Sequence, residues 1–173
     1  TNIDSPLWRC ELILTCRCNF NCLYCRGSKE KFKDISYTRA KEIIDIWSSE
    51  GLKNIRFSGG EPTLYRYLPG LVNYAKEKGI ERIAVSTNGS ASLKYYKMLI
   101  TAGVNDFSIS LDSCCSSTGG MMCGVDGIWE KVIRNIKVLS KLTYVTVGCV
   151  LTENNEKEVN DIILSSDGFK EIF

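Results

Sequence analysis

Short apolar runs and amphipathic stretches alternate along the whole chain, and this alternation constrains the fold more than any other feature. Strand-like runs fall at residues 11–15, 54–58, 81–86, 105–111 and 144–151, and helical periodicity at 36–49, 68–78, 92–102, 127–142 and 155–165. Ser36 stands where an N-cap belongs, and Gly79 and Gly103 close the second and third helices. Glu171 is expected to open a sixth strand. Repeated strand–helix units of this length form right-handed βαβ crossovers and a parallel α/β sheet. The sheet can close as a barrel or stay open and doubly wound. In both, reactive groups sit in loops after the C-terminal ends of strands. No Pro-rich or low-complexity stretch interrupts the chain, so residues 1–173 are expected to form one domain. The start at Thr1 without an initiator Met, and the strand-like end, lead us to expect a domain truncated at its C-terminal end.

Two counts are unusual: nine cysteines and no histidine in 173 residues. Long periodic helices need no disulfide staples, so metal binding in a reducing cytoplasm fits better than a secreted disulfide scaffold. The absence of His removes every His-based triad and every His metal ligand. The formal charge of +2, with no basic run carrying aromatics, argues against a nucleic-acid partner. No apolar run reaches the roughly 18–20 residues of a membrane span.

Cys18-Asn19-Phe20-Asn21-Cys22-Leu23-Tyr24-Cys25 has the spacing C-x3-C-x2-C. Three thiolates this close can cap three corners of one cubane cluster and leave the fourth iron open. Zinc is the alternative, but it wants a fourth ligand, and neither a second C-x2-C nor a His pair lies nearby. Cys16 can serve only in strained C-x-C geometry. The other strands are followed by Gly59-Gly60-Glu61-Pro62, by Thr87-Asn88-Gly89, by Asp112 and by residues 152–155, so all five loops are expected to meet on one face.

With SGGEP at 58–62, STNG at 86–89 and SLDS at 110–113 in the same order and strand context, the sequence resembles the radical S-adenosylmethionine (SAM) superfamily. STNG and SLDS resemble the third and fourth strand ends of its molybdenum-cofactor and peptide-modifying branches. The resemblance covers nearly the whole chain. It implies a partial TIM-like (βα)6 barrel and a [4Fe–4S] cluster on Cys18, Cys22 and Cys25, with SAM chelating the open iron. A one-electron donor such as flavodoxin or ferredoxin, and a small biosynthetic molecule or peptide as substrate, follow. Tyr24 is then expected against the adenine. Gly59 and Gly60 would let backbone approach the methionyl group. Glu61 would accept from its ammonium or brace the loop, which Pro62 stiffens. Ser86, Asn88, Ser110 and Asp112 would meet ribose or carboxylate. Thr146 and Gly148 depart from the Lys or Asn that relatives often place in the fifth strand, so no fifth-strand contact is assigned. The alternative is a metal-stabilised binding module without catalysis.

Residues 113–126 hold Cys114, Cys115 and Cys123 among glycines and small hydroxyl residues. They are expected to form a mobile loop with no metal of its own, because adjacent side chains on extended backbone point apart. Cys10, Cys16 and Cys149 are expected to be buried packing residues.

Overall fold

The strand runs alternate apolar and polar residues with period two, and this decides which face of the sheet is covered. The computed structural model describes residues 8–25, 27, 33–158, 160 and 161. Five strands, β1 (Arg9–Thr15), β2 (Asn54–Gly59), β3 (Arg82–Thr87), β4 (Asp106–Ser110) and β5 (Tyr144–Gly148), are connected by five helices, two of them between β4 and β5. These are α1 (Tyr37–Ser49), α2 (Leu68–Glu77), α3 (Leu93–Ala102), α4 (Ser116–Cys123) and α5 (Trp129–Leu139). Every strand pair is parallel, and the spatial order is β1-β2-β3-β4-β5. A doubly wound sheet reverses its strand order part-way. Sequential order without reversal is the winding of a barrel, so the choice the sequence leaves open is resolved.

Leu12, Leu14, Ile55, Phe57, Ile83, Val85, Phe107 and Ile109 are buried under the helices. They meet Ile44 of α1, Leu71 and Val72 of α2, Leu99 of α3, and Val132 and Ile136 of α5 in one core. On the opposite face Ser86, Ser108 and Thr146 stand in register across three strands, with Ile13 of β1 exposed on the same side. Ser36 and Ser92 cap α1 and α3, their hydroxyls accepting from Arg39 N and Tyr95 N.

Two expectations change. Residues 116–123 are helical, not loop: the sequence SSTGGMMC lacks an amphipathic stripe, and α4 exists because its glycines fit against neighbours. The helix expected at 155–165 begins as a 3-10 turn, Glu156–Glu158. The remainder of that helix, except helical residues 160 and 161, and the sixth strand lie outside the described residues. Among the described residues, no helix is long and apolar enough to cross a membrane.

Candidate active site

The loop carrying the cysteine trio leaves β1 at Thr15, and the backbone after β2 extends the strand pairing alongside it. Gly60 N donates to Thr15 O at 2.8 Å, and Glu61 N donates to Arg17 O at 2.7 Å. A Cβ on Gly60 would stand 2.3 Å from Arg17 O, and one on Gly59 (φ +147°) would stand 2.3 Å from Thr15 O. The glycine pair therefore serves close backbone approach, but the backbone approached is the protein's own. Both glycines also line the cavity, on the side where the methionyl group is expected.

Two further walls hold the same loop. Asn21 N donates to Cys123 O at 2.9 Å and Leu23 N to Met122 O at 3.1 Å, so the last carbonyls of α4 are capped by the cysteine loop. Asn19 Nδ2 donates to Ser90 Oγ at 2.9 Å, and Asn88 Nδ2 donates to Asn19 Oδ1 at 2.9 Å, in the loop after β3. Arg17 reaches out to Asp34 and to Leu64 O.

Thus held, Cys18, Cys22 and Cys25 face one cavity of about 840 Å3, within the range of cofactor sites. Tyr24, Gly59, Gly60, Ser86, Asn88, Ser110 and Asp112 line it too; Glu61 and Pro62 do not. Burial pushes the Cys18 thiol up and the Cys22 thiol up to about 11, with each thiol opposed by charge on its neighbour. Thiols raised as those of Cys18 and Cys22 are need a cation to deprotonate them, which coordination supplies. Phe20 N and Gly27 N point at Cys18 Sγ and Cys25 Sγ, each at 3.4 Å. Amide donors to sulfur are the kind of contact that tunes iron–sulfur clusters. Donor type, spacing and cavity volume fit a cubane with an open iron and a bound small molecule.

Residues 12–165 match the Radical SAM superfamily. The chain belongs to that superfamily. Radical SAM proteins work as enzymes with a [4Fe–4S] cluster and SAM. Among curated relatives, the molybdenum cofactor biosynthesis protein moc-5 of Caenorhabditis elegans is 30% identical over 88% of this chain and 27% of its own length. A probable GTP 3',8-cyclase of Sulfolobus acidocaldarius is 30% identical over 94% of this chain and 53% of its own length. SuiB of Streptococcus suis, solved bound to SAM, superposes with a TM-score of 0.81 over 95% of this chain and 39% of its own, at 16% identity. The chain thus spans about half or less of the proteins it matches, and the shared part is the radical SAM barrel.

Within that radical SAM frame the expected site residues are held by bonds to the protein itself. Glu61 is fully buried, and its carboxylate accepts from Thr63 N, Thr63 Oγ1, Thr87 Oγ1 and Asn88 N at 2.6–3.0 Å. It braces the loops after β2 and β3, the second of its two expected roles. Pro62 opens the 3-10 turn Pro62–Leu64. Tyr24 and Asp112, each expected against the cofactor, bond to one another: Tyr24 OH donates to Asp112 Oδ2, while Val150 N donates to Oδ1 at 2.7 Å. Ser86 Oγ accepts from Arg56 at 3.3 Å. Gly148 has open space where a Cβ would stand, and no residue of β5 lines the cavity.

Cys16 and Cys149 are exposed, not buried, since both sit just past strand ends on the open face. The sequence reading also missed Asn135 and Asn155. Asn135 Nδ2 donates to Gly89 O and Ala91 O, and Asn155 Nδ2 to Asp112 O and Val150 O. Both are buried. A polar Asn interrupting the apolar stripe of α5 was the available signal for the first.

Proposed function

We propose that the cavity holds one [4Fe–4S] cluster on Cys18, Cys22 and Cys25, with SAM bound at the open iron. Bound there, the cluster would supply one electron for reductive cleavage of a C–S bond of SAM, which releases methionine and a 5′-deoxyadenosyl radical able to take hydrogen from substrate. The chain's own residues orient and shield. Thr15 and Arg17 carbonyls hold the backbone of Gly60 and Glu61, the Glu61 carboxylate fixes the turn into Asn88, and Asp112 holds the Tyr24 ring at the cavity edge. Ser110 lines the cavity and is exposed, which leaves its hydroxyl for ribose or carboxylate. The observation that carries this reading is the convergence of three thiols and the loops after β1, β2, β3 and β4 on one cavity.

The substrate reading we favour is a small biosynthetic molecule, because relatives near 30% identity include GTP 3',8-cyclases, whereas SuiB, solved also with its precursor peptide, shares 16%. A soluble one-electron donor would complete the reaction. Anaerobic reconstitution with iron and sulfide is expected to give about four irons per chain. Dithionite and SAM should then yield 5′-deoxyadenosine. Ala at Cys18, Cys22 and Cys25 together should abolish both. Stoichiometric zinc without iron uptake in the native protein would refute the assignment. Failure of GTP to bind the SAM-loaded protein would count against the small-molecule class while leaving the cofactor reading standing.

A further inference from the structure

Cys114 and Cys115 line no part of the cavity, yet the fold brings them together with a carboxylate from a different segment. The Sγ atoms of Cys114 and Cys115 and a carboxylate oxygen of Glu158 all lie within 4.8 Å of one another, and all three residues are half-buried. The argument from sequence against a metal here was that adjacent thiols point apart. That holds for a continuing strand. Cys115 is instead the last extended residue (φ −149°, ψ 168°) before α4. The chain turns at that point, and the Cys115 thiol folds back over the first turn to the hydroxyls of Ser117 at 3.2 Å and Thr118 at 3.6 Å. We propose that Cys114, Cys115 and Glu158 form a second metal site, separate from the cluster, for a single thiophilic divalent ion such as Zn2+.

The donor set suits that ion. Two thiolates and a carboxylate are zinc ligands, and three protein ligands leave a fourth tetrahedral position to water. Donors at bond lengths of about 2.3 Å in a tetrahedron stand ~3.8 Å apart, so closing around an ion takes about 1 Å of side-chain movement. Glu158 is already anchored: Cys114 N donates to its Oε2 at 3.1 Å, and Thr118 Oγ1 donates to its Oε1. A carboxylate has about four lone-pair sites, so these two bonds leave it free to bind metal. Thr118 thus touches both the Cys115 thiol and the Glu158 carboxylate and orients them, as an outer shell does in known metal sites. The ion would clip the segment after β4 to the turn after β5. Because the far end of α4 carries the carbonyls that hold the cysteine loop, the clip would steady the cluster from outside the cavity.

The test uses the full chain with its cluster already reconstituted. Titrated with Zn2+ under reductant, it is expected to take up one zinc while iron stays at about four per chain. Zinc-edge X-ray absorption should show two sulfur neighbours near about 2.3 Å. Cys114→Ser, Cys115→Ser and Glu158→Gln should each weaken zinc binding at least tenfold with iron unchanged, and Cys10→Ser should do neither. No zinc uptake, uptake that displaces iron, uptake unaltered in the Cys114→Ser/Cys115→Ser double variant, or a Cys114–Cys115 disulfide that resists reductant would each overturn the proposal. Should the double variant also lose iron, Glu158→Gln decides: undiminished zinc affinity there rejects the site. Loss of the cluster without change in zinc would instead strike at the proposed function.

Discussion

Glu61 concentrates in one side chain what four separate donors require. Its carboxylate is buried and accepts four hydrogen bonds, two from backbone N–H groups and two from hydroxyls. Deleting a buried acceptor leaves its donors unsatisfied, at about 1–3 kcal/mol for each that water cannot reach. Thr87 is buried, while Thr63 and Asn88 are partly exposed, so water will recover some of the loss. Glu61→Ala is expected to destabilise the protein by about 3 kcal/mol, measured by urea unfolding. Glu61→Gln keeps the shape but turns an NH2 group toward donors, and should cost nearly as much. A loss under about 0.5 kcal/mol in both would show that the carboxylate is not the brace described here. The motif was legible in the sequence at this position, but which of the two roles Glu61 takes was not. SGGEP names a glycine-rich turn, and only the coordinates show that Glu61 faces the protein and that Tyr24 and Asp112 satisfy each other.

At the scale of elements, strands and most helices were legible because their burial follows simple periods of two and 3.6 residues. The α4 helix was not. Its residues carry no stripe, and two glycines at its centre lower helix propensity by about 1 kcal/mol each. What makes it a helix is contact: a Cβ on Gly119 would stand 2.8 Å from Trp129 Cδ1 and 2.9 Å from Ser113 Oγ. The indole cannot easily retreat, because its Nε1 donates to Ser113 O at 3.2 Å. Propensity alone predicts that Gly119→Ala stabilises the helix; packing predicts the reverse, with overpacking costing about 1–3 kcal/mol. Packing is expected to win, lowering stability by about 1 kcal/mol or more in thermal or urea unfolding. An increase in stability would mean that α4 stands off from α5 and that its close fit is not what forms it. The same blindness explains why the thiols of Cys114 and Cys115 were expected to diverge: the turn that brings them together belongs to a helix the periodicity does not announce.

Over the whole molecule, the sequential parallel sheet carries the loops after all five strands to one end, and the loops lean on one another more than on any single strand. The cysteine loop is the clearest case, because it is bonded to the backbone after β2, to side chains after β3 and to the end of α4. The proposed cluster and cofactor sites are therefore coupled through protein backbone. Gly60→Val tests the coupling. If glycine were needed to admit the cofactor, the variant would keep its cluster and lose SAM affinity. The structure places the new side chain against Arg17 O at 2.3 Å, Arg17 C at 2.7 Å and Cys16 O at 2.8 Å, main-chain atoms immediately before Cys18. Backbone cannot yield as a side-chain tip does, so the cysteine loop must move. Reconstituted Gly60→Val is expected to hold well under the about four irons per chain of a full cubane and to lose SAM binding with it. Ser110→Ala, on the cavity wall of β4, should weaken SAM binding and leave iron unchanged. A Gly60→Val protein with a full cluster would show that the loops after β1 and β2 are independent, and that the glycine pair answers to the ligand after all.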